Sequence, residues 1–250
     1  MPKTPKISVI TISFNAEKDI EKTIKSVVNQ TFRNIEYIVI DGKSTDGTIS
    51  IIKKYNSKIS YWSSEPDKGL YDAMNKGITK ATGDYIIFMN AGDIFYEQET
   101  LSKIFDTNEE PQDIYYGETI IVDSNNKEVG MRRLSAPEEL NWKSFKRGMR
   151  VSHQAFIAKM ELVEPYDLQY KFSADFDWCI KIMKKSTKIK NTNLIICRYL
   201  DGGLTKHNLV PSLKERYKIM TKFYGVFSTF FNHITLGTKL VWFVLKNKWF

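Results

Sequence analysis

The chain has 250 residues, 42% hydrophobic and 26% charged, which predicts a folded core of one large domain or two small ones and excludes a disordered chain. A formal net charge of +8 favours an anionic partner, whether nucleotide, nucleic acid or acidic membrane surface. The two cysteines, Cys179 and Cys197, lack metal-type spacing, which argues against a disulfide framework and for a reducing compartment. Met1 to Lys6 carries no apolar signal region, and no run approaches ~18 apolar residues, so neither secretion nor a spanning helix is expected.

Ile7 to Ser13 is a β-branched run and reads as the first strand, with Asn15 just beyond it. Asp19 to Asn29 has helical spacing, placing Ile20, Ile24, Val27 and Val28 on one face. Ile35 to Ile40 is a second strand ending in Asp41-Gly42, and Ile49 to Tyr55 a helix after the Ser44–Thr48 turn. Ile59 to Trp62 reads as a third strand, Leu70 to Thr79 as a helix and Tyr85 to Met89 as a fourth, fully buried strand. This alternation predicts an α/β, Rossmann-like, mostly parallel sheet flanked by helices. Further on, Glu97 to Phe105 reads as a helix, Asp113 to Val122 and Gln154 to Ala158 as strands, and Phe176 to Met183 as a helix. Between them, Gly130 to Arg150 reads as a long polar, basic segment that includes Arg132, Arg133, Arg147 and Arg150. The tail from Pro211 reads as helical.

Polar residues end the predicted parallel strands: Asn15, Asp41, the Glu65–Gly69 cluster and Asp93. In a parallel sheet they converge on one cleft at the carboxyl edge, which suits a nucleotide. Asp93, after the turn at Gly92, is a hard oxygen ligand suited to Mn²⁺ or Mg²⁺ carrying a diphosphate. The chain has no Gly-x-Gly-x-x-Gly after its first strand and no Walker-type Gly-Lys-Ser/Thr, which disfavours a dehydrogenase or an ATPase.

Five segments together resemble the family 2 glycosyltransferases of GT-A fold: Ser8–Asn15, Ser26–Thr31, Glu36–Thr48, Glu65–Gly77, and the strand into Asn90-Ala91-Gly92-Asp93. The likeness is strong over residues 7–95, weaker over 110–205 and absent from the tail. It implies an inverting transfer of a hexose or N-acetylhexosamine from a UDP-sugar to an acceptor hydroxyl, with a lipid-linked saccharide of a bacterial surface polysaccharide as acceptor. By the resemblance, Ser13, Asn15 and Asp41 line the uridine pocket, Asp67 helps hold the nucleoside, and Asn75 belongs to the same binding set. Asn90-Ala91-Gly92-Asp93 takes the place of the metal motif, with Asp93 its one carboxylate. Met74 stands where many relatives carry Arg, and the phosphate role passes to Arg147 or Arg150. Asp175, in Ser173–Trp178, takes the place of the catalytic base. Asp177 is the competing choice, and a helix cap is the plain alternative. His153 is assigned to diphosphate or acceptor and His207 to the metal, while His233 is read as structural.

The expected organisation is a GT-A domain over residues 1–210, with a nucleotide half at 1–95 and an acceptor half at 96–210, followed by a helical extension at 211–250. In that extension Phe227, Phe230, Phe231, Trp242 and Phe243 alternate with Lys222, Lys239 and Lys246. This pattern suits a helix on an anionic membrane surface, or packing on the core or a second subunit. The expected location is cytoplasmic, on the inner face of the cytoplasmic membrane, with no nucleic-acid partner and the oligomeric state left open. The rival readings are a nucleotidyltransferase, which would need a glycine-rich basic loop after the first strand, and a non-catalytic nucleotide-sugar-binding or scaffold protein.

Overall fold

A computed structural model of the chain describes residues 4–107, 109–202 and 208–234. Its first half alternates β1 (Ile7–Ser13), α1 (Ile20–Val28), β2 (Ile35–Asp41), α2 (Thr48–Lys54), β3 (Tyr61–Ser64), α3 (Leu70–Lys80) and β4 (Tyr85–Phe88). Every residue of β1 and of β4 is buried. Neither strand alternates polar with apolar because helices cover both faces of the sheet. β1 lies parallel between β2 and β4, with Ile7 opposite Ile35 on one side and Tyr85 on the other. α1 buries Ile20, Thr23, Ile24 and Val27, the one face its spacing predicts.

The second half contains β5 (Ile94–Phe95), α4 (Thr100–Phe105), β6 (Ile114–Val122), β7 (Glu128–Met131), β8 (Phe156–Lys159), α5 (Ala174–Lys185), β9 (Ile189–Leu200) and α6 (Leu209–Tyr224). One sheet runs through both halves in the order β3-β2-β1-β4-β8-β6-β9-β5, with β7 added to β6. The sheet is parallel from β3 to β4; β8 then enters antiparallel between β4 and β6, and β6 pairs parallel with β9. The carboxyl ends of β1, β2 and β4 therefore face the elements that follow β7 and precede β8.

Several expectations shift: the helix read from Glu97 starts at Thr100, and the strand read from Gln154 starts at Phe156. β3 starts at Tyr61 rather than Ile59. The polar stretch 130–150 is not one loop: it begins in the β6–β7 hairpin and contains a 3-10 turn over Trp142–Arg147, capped reciprocally by Asn141 and Ser144. The long strand β9 had no counterpart in the sequence reading. Its first residues are polar and only partly buried, and its register against β6 slips twice, so no period-2 pattern marks it.

One buried carboxylate ties the start of the parallel sheet together. Glu36 accepts from Lys6 Nζ at 2.6 Å, Ser8 Oγ at 2.7 Å, and Thr82 N and Oγ1 at 2.7 and 2.6 Å. Burial pushes its pKa up, but the bonds from Lys6, Thr82 and Ser8 outweigh burial and hold it at about 2. A depressed carboxylate contributes stability that is present above its unfolded value near 4.5 and is lost as pH falls toward 2. Glu36→Gln should cost about 1.5–3 kcal/mol at pH 7. It should also remove part of the loss seen on acidification. Urea denaturation at pH 7 and pH 3 checks this, and equal stability of the two proteins at pH 7 would sink it.

Candidate active site

The turn after β4 is built into the sheet edge. Ala91 N donates to Ile12 O at 3.0 Å and Asp93 N to Asn90 O at 2.9 Å. Thr23 of α1 clamps it from below, with Oγ1 donating to Asp93 O at 2.8 Å and accepting from Gly92 N at 2.9 Å. Gly92 has φ +105°, in the left-handed region that favours glycine, and a Cβ there would meet Leu200 Cδ2 at 2.8 Å. The turn thus presents Asn90 and Ala91 as a fixed platform.

Two cavities meet on that platform. One, of about 660 Å³, lies over the ends of β1 and β2 and is lined by Ser13, Phe14, Lys43, Asp67, Asn90 and Ala91, among others. The other, of about 530 Å³, is lined by Tyr71, Asn90, Ala91, Asp93, Arg132, His153, Gln154, Asp175 and Arg216, among others. Leu70, Asn90 and Ala91 belong to both. Ser13, Asp67, Asn90, Ala91, Asp93, His153 and Asp175 thus lie along one continuous cleft.

At the far end, α5 starts with Ser173 as its N-cap, so Asp175 sits in the first turn rather than at the cap. Its Oδ1 accepts from Tyr71 Oη at 3.1 Å and from Phe176 N at 2.9 Å. Its Oδ2 lies 3.5 Å from His153 Nδ1. The other ring nitrogen of His153, Nε2, lies 3.3 Å from Asn90 Nδ2. Burial pushes the Asp175 carboxyl up, but the His153 contact, the charge of Arg216 and the Tyr71 hydroxyl together hold it below the ordinary Asp value. It is a buried, ionised carboxylate at the wall of the second cavity, with the helix N-terminus adding to its stabilisation. Asp177, two residues on, is only 1% exposed and does not line the cleft. It pairs with Lys181 at 2.6 Å and with Lys222 of α6 at 3.0 Å.

Several expected site residues serve as scaffold instead. Asp41 is fully buried and accepts from Ser13 Oγ, Ser44 N, Ser44 Oγ and Ser64 Oγ, so it lies beneath the first cavity rather than on its wall. Asn15 turns away, its Oδ1 accepting from Thr45 N at 2.9 Å. Asn75 is bonded to the backbone of Tyr166 through both ends of its amide, at 2.9 and 2.7 Å. Arg147 is exposed on the 3-10 turn, and Arg150 Nε donates to Ser135 O at 2.8 Å. Neither arginine lines the cleft; Arg132 and Arg216 do. His207 lies outside the described residues.

Phe14, Tyr71 and Arg216 had no site role in the sequence, and Arg132 stood only as one member of the basic segment 130–150. Phe14, 66% exposed, rims the first cavity, with a face for a planar ring. Tyr71 sits two residues after Gly69 inside a matched segment, which could have pointed to it. Arg132 is brought in by the β6–β7 hairpin, its one sequence signal being the basic segment, and Arg216 by α6, with no local signal.

The metal expectation rests on Asp93, which is buried and whose pKa burial raises to about 6. Its oxygens accept from Gln154 Nε2 at 2.9 Å and Leu200 N at 3.1 Å. A carboxylate has about four lone-pair positions, so two remain. Asn90 Oδ1, on the same turn, is buried with no partner. No group of three or more His, Cys, Asp or Glu able to hold a metal occurs among the described residues. This donor set fits a cation that takes most of its ligands from a bound diphosphate and water, as Mg²⁺ and Mn²⁺ do.

Residues 8–163 match the family described as Glycosyl transferase family 2, so the chain belongs to that family and is a glycosyltransferase. A glycosyltransferase of Mycobacterium tuberculosis is 31% identical over 214 residues, covering 83% of this chain and 79% of its own. The UDP-Glc:alpha-D-GlcNAc-diphosphoundecaprenol beta-1,3-glucosyltransferase WfgD of Escherichia coli is 25% identical over 96% of this chain and 97% of its own. Among solved structures, residues 1–349 of Staphylococcus aureus TarS superpose with a TM-score of 0.66 at 18% identity, covering 89% of this chain and 68% of that one. That protein was also solved with UDP-GlcNAc and with UDP. The shared architecture is the GT-A fold.

Asp177 is a tie between helices and not part of the cleft, which predicts a purely structural phenotype. Asp177→Asn should lower stability by about 1–3 kcal/mol and loosen α6, read by thermal unfolding and by proteolysis within 208–234. An unchanged melting temperature would remove this tie from the account.

Proposed function

We propose that the protein transfers a hexose or N-acetylhexosamine from a UDP-sugar to a hydroxyl of a lipid-linked saccharide, inverting the anomeric configuration, in the assembly of a bacterial surface polysaccharide. The observation that carries this reading is the shared Asn90–Ala91 platform, which joins a nucleoside-sized cavity to a second cavity where Asp175 is held ionised beside His153 and Tyr71. The UDP complexes of TarS and the diphosphoundecaprenol-linked acceptor in the name of WfgD support the choice of donor and acceptor.

On this reading residues 1–95 bind the nucleotide, 96–210 bind the acceptor, and 211–250 form an extension. Uracil lies against Phe14, the nucleoside against Ser13 and Asp67, and the diphosphate over Asn90–Ala91. The sugar then projects into the second cavity. Asp175 takes the proton of the acceptor hydroxyl, whose oxygen bonds to the anomeric carbon as that carbon's bond to the phosphate oxygen breaks and UDP leaves. His153 and Tyr71 hold Asp175 in place and keep it ionised. Asp93 and Asn90 would hold Mn²⁺ or Mg²⁺, which supplies positive charge for the leaving diphosphate when bound.

The segment at residues 226–234 is helical, and Phe227, Phe230 and Phe231 are 82, 52 and 64% exposed. Leu209, Val210 and Leu213 at the start of α6 are exposed as well. No helix among the described residues is long and apolar enough to cross a membrane. These aromatics, set among lysines, support docking on an anionic membrane from the cytoplasmic side, where a lipid-linked acceptor is found. Trp242, Phe243 and the rest of the expected tail lie outside the described residues.

Asp175→Asn should still bind UDP and lose roughly 10²-fold or more in transfer, the usual scale for a positioned base. Titration calorimetry and a UDP-release assay read the two quantities, and the same assay in excess chelator should lose turnover. Full transfer by Asp175→Asn, or transfer indifferent to chelator, would overturn the base or the metal assignment respectively.

Replacing Phe227, Phe230 and Phe231 together by serine should abolish co-sedimentation with anionic vesicles. UDP binding should stay intact. Equal vesicle binding by the variant, or none by the parent at low salt, would place these aromatics in an interface between proteins.

A further inference from the structure

The geometry points to a second anion site, distinct from the donor diphosphate: Arg132 and Arg216 form a two-guanidinium clamp for a phosphate or diphosphate carried by the acceptor. This rests on the proposed transfer and deepens it by assigning the acceptor's charged group to named residues.

The two arginines come from distant elements and meet in one cavity. Arg132 follows β7 directly, and its Nη2 donates to Met149 O at 3.1 Å. Arg216 lies in α6, which is fastened to the start of α5 at three points. Glu215 accepts from Lys171 N and Phe172 N at 2.8 Å each, Ser212 Oγ lies 3.0 Å from Ser173 Oγ, and Lys222 pairs with Asp177. Arg216 is therefore positioned beside Asp175 by a rigid support rather than by a loop.

Both guanidiniums are half-buried, and neither forms an ion pair among the described residues. Arg216 Nε is buried with no hydrogen-bond partner among them. Burial lowers the Arg132 pKa, and the charge of Arg216 lowers it further. Two like charges sharing one cavity repel, Asp175 offsets part of that cost, and a dianion between them offsets more while accepting several charge-assisted bonds.

Direction decides which anion this is. In an inverting displacement the base and the leaving group stand on opposite faces of the anomeric carbon. The platform shared by both cavities, Asn90–Ala91, marks the leaving-group side. Arg132 and Arg216 line only the second cavity, as Asp93 does, and the fastening of α6 to the start of α5 is what puts Arg216 on the side of Asp175. They thus face the incoming acceptor. A lipid-linked saccharide carries a diphosphate next to its first sugar, within reach of a clamp on that side.

The test titrates inorganic pyrophosphate and, separately, a short prenyl diphosphate into the full-length protein saturated with UDP. Both should bind. Arg132→Gln and Arg216→Gln should each weaken that binding roughly tenfold or more, with UDP affinity within about twofold. The charge-preserving Arg216→Lys should retain more binding than Arg216→Gln, which separates lost charge from lost fold. Tighter binding of the prenyl compound marks a lipid-linked acceptor, and equal binding marks a soluble phosphorylated one. The proposal is overturned if pyrophosphate merely displaces UDP, or if the glutamine variants lose UDP and keep pyrophosphate. If the parent does not bind UDP, the donor reading fails. The same titration without UDP still reads the clamp through its loss in the glutamine variants.

Discussion

His153 spans the join between the two halves of the sheet, with one ring nitrogen 3.3 Å from Asn90 and the other 3.5 Å from Asp175. The platform after β4 and the carboxylate that opens α5 are 85 residues apart in sequence, yet this imidazole fixes their spacing. Its own position comes from the short turn over His153–Ala155 that leads into β8, the strand that pairs antiparallel with β4. A strand that reverses direction beside β4 is what delivers a polar side chain back over the carboxyl edge, where open α/β sheets bind ligands.

Much of the cleft's polar chemistry is spent inward. Asp41, Asn15 and Asn75 hold serines, a loop and a backbone turn in place, and their buried bonds leave the open walls to Ser13, Phe14, Asp67 and Asn90. A buried carboxylate with four donors costs little and rigidifies its surroundings, whereas one left short would be costly. Asp175 and Asp177 show the same division within one helix turn. One faces a cavity with a histidine and a tyrosine, and the other is locked between two lysines.

The parallel half was legible because its signals are local. Unbroken β-branched runs such as Ile7–Ser13, the helical face of Ile20, Ile24 and Val27, and turn residues at strand ends each report their own structure. The resemblance carried Asp67, Asn90, Asp93 and Asp175 into the cleft on the strength of the same segments. β9 was not legible, because its opening residues, Ile189–Asn193, are mostly polar and its pairing with β6 is made across about 75 residues of chain. Arg132 and Arg216 escaped for a similar reason. Nothing near either residue distinguishes it from the other surface arginines until the hairpin and α6 fold over Asp175. The expectation that strand-end polar groups all line the cleft failed at Asn15 and Asp41, where neighbouring loops supply enough donors to satisfy them.

The central claim is that a single carboxylate, on the face opposite the diphosphate, drives direct displacement. The anomeric configuration of the product tests it most directly. Transfer from an α-linked UDP-sugar, followed by the one-bond carbon–hydrogen coupling at the new glycosidic carbon, should show the β configuration alone. A product that keeps the α configuration would contradict the account, because retention needs a double displacement or a same-face path in place of direct attack from the side of Asp175.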